Sequence, residues 1–369
     1  MIFYITYNDA PSGIYSSQVI DVVKFFNDQL KTRAKLISFI SIRGFLVNRK
    51  KIKQQLPSAI VLPMYPKVIN WKKNKFLLQL LNFVYNPKII IGRSVLATNI
   101  ALSLQHKNKK IIYDGRGAIK AEWTEYNVIS DKSLLSQIDE LEKNAVIKSD
   151  FRISVSNKLV DYWKKEFHYT QENHVIITCT INNQFEKTDF NENTISQIRL
   201  EFDFQKKDTV FVYSGSVAGW QSFELLSDFI TPILLKSTEN KLLFLSHSDE
   251  NISKLKSQFP KQVYNKHLPV NEVPKYLVAC NYGLLIREQS VTNQVASPVK
   301  FAEYLACDLP VIISENLGDY SDFIIEHNCG QLYQNFDSEK KSNKNLKQLC
   351  NTYFAKNIYT NSYTKLTQL

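Results

Sequence analysis

Cysteine is scarce and scattered. The five residues Cys179, Cys280, Cys307, Cys329 and Cys350 are odd in number and stand mostly in apolar contexts. They form neither a disulfide framework nor a zinc-binding spacing, so a reducing compartment is the expected setting. No uninterrupted apolar run reaches the roughly 20 residues that cross a bilayer. The segment Met1 to Tyr7 has no basic n-region and no small-residue cleavage site. It reads as a first strand, not a signal peptide, and the expected location is the cytoplasm. A recognisable nucleic-acid module and an aromatic-basic repeat are also missing, which argues against nucleic acid as a partner.

What is present is a globular composition. Hydrophobic residues make up 44% and charged residues 22% of 369 residues, a chain too long for one ordinary core and suited to two domains. The formal net charge of +11 suits anionic partners, which could be nucleotide diphosphates, anionic lipid head groups or nucleic acid, or it is simply a lysine-rich surface.

The most informative stretch runs from Ser297 to Ser314. Ser297 suits a helix N-cap and Pro298 the first helical position. Leu309-Pro310 ends the helix, and Val311 to Ile313 forms a short buried strand. Upstream, Asn281 to Ile286 is another apolar run, ending at Arg287. Strand, long loop, helix and strand make a parallel crossover, and ligands of such sheets bind at the carboxyl ends of the strands. Lys300 falls in the first turn, where a cation is disfavoured unless an anion docks there. Glu303 stands among Phe301, Ala302, Tyr304 and Leu305, where a buried carboxylate needs a partner. Two readings stay open: a phosphate and a ribose as ligands, or a Lys300–Glu303 pair at i,i+3 on a solvated strip.

The rest of the chain alternates strands and helices, the pattern of doubly wound α/β domains. Residues 2 to 7 are a strand, followed by a loop with Ser12 and Gly13 and a helix from Val19 to Leu30. Strands are expected over Ala34 to Ile40, Ser58 to Leu62 and Asp150 to Ser156, and Lys88 to Ser94 and Lys110 to Gly117 read as two more strand ends with polar tips. Ser156 should cap a helix from Lys158 to Phe167, and Lys132 to Ile147 has helical periodicity. Asp114 and Arg116 end a strand, either as a structural pair stabilising the turn or as charged groups of a site. Two basic runs, Arg43 to Gln55 and Lys67 to Lys75, adjoin aromatic and leucine clusters, which suits either an anionic membrane surface or solvated helix ends. Asn182 to Asn193 reads as a hinge. A second alternating run begins at Thr209, with the small residues Ser214, Gly215 and Ser216 able to point backbone N–H groups at an anion. His247 and His267 read as surface or tip residues.

The pattern Pro298-x-Lys300-x-x-Glu303-Tyr304-Leu305-Ala306-Cys307-x-x-Pro310-Val311-Ile312 resembles the signature of GT-B glycosyltransferases, and most of all family 4, the retaining "group 1" transferases. The resemblance implies an α/β protein of two Rossmann-like doubly wound domains facing across a cleft. Residues 1–187 would form an acceptor domain and 188–349 a donor domain, with a tail from about 350 to 369 crossing back onto the first. It implies that Glu303 holds the ribose of a nucleotide-diphospho-sugar and that Ser297 and the helix start face the diphosphate. Ser214, Gly215, Ser216, Ser12 and Gly13 would lie near the donor phosphates, and Pro269 and Val270 along the base. Lys300 and Arg287 would stabilise the leaving diphosphate. Asp114-Gly115-Arg116-Gly117 resembles an Asp-x-Arg-Gly loop of some polysaccharide-assembly transferases, which makes Asp114 and Arg116 catalytic candidates. A second glutamate of the family, eight positions before Glu303, is replaced by Val295. No Asp-x-Asp motif is present, which agrees with a leaving group that needs no metal and no other cofactor.

The implied activity is transfer of a hexosyl group, with retention, to a glycan or lipid-linked acceptor in surface polysaccharide assembly, on the inner face of the plasma membrane. A nucleotide-sugar epimerase of the same fold and a non-catalytic scaffold are the alternatives.

Overall fold

The computed structural model describes residues 1–104, 108–182, 185, 191–216, 219–340 and 345–369. The chain divides into two compact units. The first comprises Met1–Thr180, Val295–Ser297 and Lys356–Leu369, and the second Ile181–Gln294 and Pro298–Ala355. The junction expected near residue 187 lies outside the described residues.

The first unit holds a seven-stranded parallel sheet. Its strands are β1 (Ile2–Tyr7), β2 (Ala34–Ile40), β3 (Ile60–Pro63), β4 (Ile89–Arg93), β5 (Lys110–Gly115), β6 (Phe151–Ser154) and β7 (His174–Ile176), in the order β3-β2-β1-β4-β5-β6-β7. Every residue of β1 is buried, as a central parallel strand covered on both faces requires. Its side chains alternate: Phe3 and Ile5 enter one core layer, Ile2 and Tyr4 the other. The C-terminal segment adds Tyr363 and Leu366 to the second of these layers, against Phe25 and Phe26.

The second unit holds a six-stranded parallel sheet, ordered β10-β9-β8-β11-β12-β13. Here β8 is Thr209–Ser214, β9 Asn240–Leu245, β10 Val263–Asn265, β11 Tyr282–Leu285, β12 Val311–Ile313 and β13 Gly330–Leu332. The same alternation recurs, with Val210 and Val212 in one layer and Phe211 and Tyr213 in the other. In both sheets the strand order reverses beside the first strand, between β1 and β4 and between β8 and β11. Such switch points leave a crevice at the strands' carboxyl ends.

Local structure departs from the sequence expectations in four places. The helix after β1 starts at Gly13, not Val19, because the Ser12 hydroxyl caps it by accepting from Tyr15 N at 3.2 Å. The stretch Lys132 to Ile147 forms two helices, Lys132–Leu135 and Ile138–Lys148. The loop after Arg287 contains a helical turn, Val291–Gln294. The helix of the central motif is Val299–Ala306, with Pro298 at its N-cap and no side-chain cap. Ser297 stands one residue before that N-cap, and its hydroxyl accepts from Cys179 N at 2.9 Å in the first unit.

Candidate functional site

The switch point of the second unit gathers the polar groups that the sequence placed far apart. Arg287 follows β11, Gln221 lies in the turn Gly219–Gln221 beyond β8, and Lys300 stands on helix Val299–Ala306. All three are buried. Lys300 Nζ donates to Gln221 Oε1 at 2.8 Å, and Arg287 Nη2 donates to the same oxygen at 3.3 Å. Two cations therefore share one neutral acceptor. Arg287 Nη1 also reaches Asn293 Oδ1 at 3.3 Å, and its backbone N–H donates to Ser314 Oγ at 2.8 Å.

Lys300 is held on both sides. Its ammonium lies 4.1 Å from the centre of the Tyr213 ring. On the other side is Gly215, whose φ of +132° belongs to backbone that favours glycine. A Cβ there would lie 2.6 Å from Lys300 Cε. The strand end is fixed by Tyr304, whose hydroxyl accepts from Ser214 N at 3.0 Å and donates to Leu284 O at 3.3 Å, tying β8 to β11. The Tyr213 hydroxyl donates to Ser216 O.

Burial without a counter-charge sets the electrostatics. Desolvation, helped by the like charge of Arg287 and opposed by Glu303, pushes the Lys300 ammonium well below its ordinary pKa. Glu303 is half-buried and makes no ion pair with Lys300 among the described residues, so the solvated i,i+3 pair does not form. Burial, opposed by Lys300, raises its carboxyl to about 7. The arrangement can receive a dianion on Lys300 and Arg287 and hydroxyl donors on Glu303.

Pro269 and Val270 are exposed in the turn after β10. His247 and His267 are exposed and stacked, with ring centres 3.6 Å apart. Val295 is buried in the core of the first unit, and its carbonyl accepts from Ser156 Oγ at 2.7 Å.

The switch point of the first unit holds a second charged cluster. Asp114, at the end of β5, is wholly buried. Tyr4 donates its hydroxyl to it, Arg116 Nη2 donates to Oδ2 at 3.0 Å, and Arg116 Nε lies 2.9 Å from Oδ1. Arg93 lies 3.9 Å from the same carboxylate and 3.4 Å from Asp9. A carboxylate so enclosed has no surface for substrate. The geometry pairs Asp114 with Arg116 at the strand end, the arrangement that the structural reading of these two residues describes.

Tyr213, Gln221 and Asn293 were not legible as site residues. Tyr213 reads as strand core, and an amide offers no charge pattern to notice.

No protein-family model matches this sequence, and no curated protein does. Solved structures do match in fold. The chain superposes on Anabaena Alr3699/HepE in complex with UDP at a TM-score of 0.71, with 13% identity and 100% of each chain covered. This is the GT-B glycosyltransferase fold. A glycosyltransferase from Rickettsia africae gives 0.71 at 12% identity, covering 99% of this chain and 97% of the other. The lipopolysaccharide outer core galactosyltransferase WaaB gives 0.68 at 14%, covering 100% and 99%. At these identities the likeness to the GT-B structures is one of fold.

Proposed function

We propose that the chain is a glycosyltransferase that binds a nucleotide-diphospho-sugar in its second unit and transfers the sugar to a glycan or lipid-linked acceptor. The observation that carries this reading is the pair Lys300 and Arg287 sharing Gln221 at the switch point, beside Gly215. In the transfer, the bond from the sugar's anomeric carbon to the diphosphate oxygen breaks, and its electron pair leaves on that oxygen. The acceptor oxygen forms the new bond, and its proton passes to the departing phosphate or to water. Lys300 and Arg287 stabilise the charge that develops on the leaving diphosphate, so the reading requires no metal ion. The carboxylate of Glu303 accepts from the ribose hydroxyls.

Three finer points belong to the same proposal. Retention of configuration and a hexosyl donor are supported by the family 4 pattern around Glu303. Uridine is the first base to test, because the HepE structures include complexes with UDP and UDP-glucose. Surface polysaccharide assembly, on the cytoplasmic face of the plasma membrane, is supported by the fold shared with WaaB and by five free cysteines.

A thermal-shift screen of nucleoside diphosphates tests the donor site. One diphosphate at 100 times its dissociation constant should stabilise the chain by about 2.7 kcal/mol. No shift with any diphosphate would remove the donor site. Incubating the donor alone then separates the rival epimerase, which would isomerise it. A scaffold would turn over no donor in any acceptor mixture.

A further inference from the structure

The positive charge of this chain is concentrated in one stretch. Between Asp28 and Asp114 there are seventeen lysines and arginines, and no aspartate or glutamate. The rest of the chain carries more acids than bases. This stretch builds β2, β3 and β4 of the first unit and the helices joining them, so the excess charge belongs to one unit.

Within it, helix Lys75–Tyr85 is built inside out. Its core face buries Leu78 and the polar Asn82. Its outer face exposes Phe76 at 67%, Leu80 at 60%, Phe83 at 84% and Val84 at 63%. At 3.6 residues per turn these four share an arc of about 100°, opposite Leu78 and Asn82. A contiguous apolar stripe facing outward is the mark of a surface that meets something else. Cations frame it. Lys72 and Lys73 are exposed before the helix, Lys88 after it, and Lys75 Nζ lies 5.4 Å from the Phe76 ring. Helix Phe45–Gln55 likewise exposes Leu46 and Val47 beside Arg49, Lys50 and Lys51.

Apolar rings ringed by lysines complement one partner on both counts. An anionic bilayer offers an acyl boundary for the rings and phosphates for the ammonium groups at the same depth. Nucleic acid would satisfy the lysines alone.

We propose that helix Lys75–Tyr85 lies on the surface of an anionic membrane, with its Phe76, Leu80, Phe83 and Val84 stripe in the interface and its lysines against lipid phosphates. The proposal gives the membrane placement in the proposed function a specific surface, and its test needs no nucleotide, so it can fail while the donor site stands. Flotation of the full chain tests it, using phosphatidylcholine vesicles with and without roughly 30% phosphatidylglycerol. Binding should appear only with the anionic lipid and fall at least tenfold in about 0.5 M salt. The Phe76→Ser/Phe83→Ser and Lys72→Gln/Lys73→Gln variants should each weaken binding about tenfold or more, with melting temperature and nucleotide-induced shift unchanged. Failure to float on either vesicle, or unaltered binding by both variants, would overturn it. So would lipid-free dissociation of a dimer by the serine variant, which would make the stripe a contact between copies. DNA retention as strong as vesicle binding and lost in the same lysine variant would also overturn it.

Discussion

Lys300 occupies the space that a side chain on residue 215 would need. A Cβ on Gly215 would stand 2.6 Å from Lys300 Cε and 3.0 Å from Nζ. Gly215→Ala must therefore displace the ammonium from Tyr213 and Gln221, and it must hold alanine at φ +132°. The strain is about 1–3 kcal/mol, or a fall of roughly 2–12 °C in melting temperature. Affinity for the nucleoside diphosphate, measured by calorimetric titration, should drop about tenfold or more as the phosphate-facing cation moves.

On the proposed reading Lys300 serves the ligand rather than the fold. Lys300→Met keeps the stem and removes a buried charge, so the ligand-free melting temperature should hold or rise near neutral pH. Donor turnover should fall by about 10²–10³. The pH dependence has a definite sign. Lys300 has its folded pKa below 10.5, so in that window the unfolded chain binds more protons. Its contribution to stability rises with pH from the folded pKa towards 10.5. The methionine variant should lack this rise in a series of melts.

Glu303 predicts a pH limb in binding. Burial raises its carboxyl to about 7. If the ionised form accepts from a ribose, nucleotide affinity weakens as pH falls below about 7, towards tenfold per pH unit. Glu303→Gln should bind more weakly at pH 8 and show no acid limb. Identical pH profiles for the two proteins would remove Glu303 from the ribose site.

Asp114 should matter to stability. Asp114→Ala leaves Arg116 buried beside Arg93 without its carboxylate, at a cost of about 3–5 kcal/mol. The melting temperature should fall by roughly 6–20 °C. A variant that melts normally but fails to turn over donor would instead make Asp114 a reacting group.

Much of the scaffold was legible because local chemistry decides it. Apolar runs such as Ile2–Tyr7 and Ala34–Ile40 became strands at the expected residues, and Ser156 caps helix Asn157–Phe167 by accepting from Leu159 N at 3.0 Å. Ser297 shows the limit. Its type suits a cap, yet its hydroxyl bonds to Cys179, 118 residues away. The site divides similarly. Lys300 and Glu303 stood out as charges in an apolar helix, whereas Gln221 acquires its meaning only when folding brings two cations to its oxygen.

Gln221→Glu addresses the central claim most directly. A carboxylate there would neutralise Lys300 and Arg287 in place, occupying the charge that the donor's diphosphate is held to need. In calorimetric titration the wild-type chain should bind UDP or another nucleoside diphosphate. The variant should melt at the same or a higher temperature and bind at least about a hundredfold more weakly, the loss of roughly 2.7 kcal/mol. A variant that binds the diphosphate as well as the wild type would contradict the account.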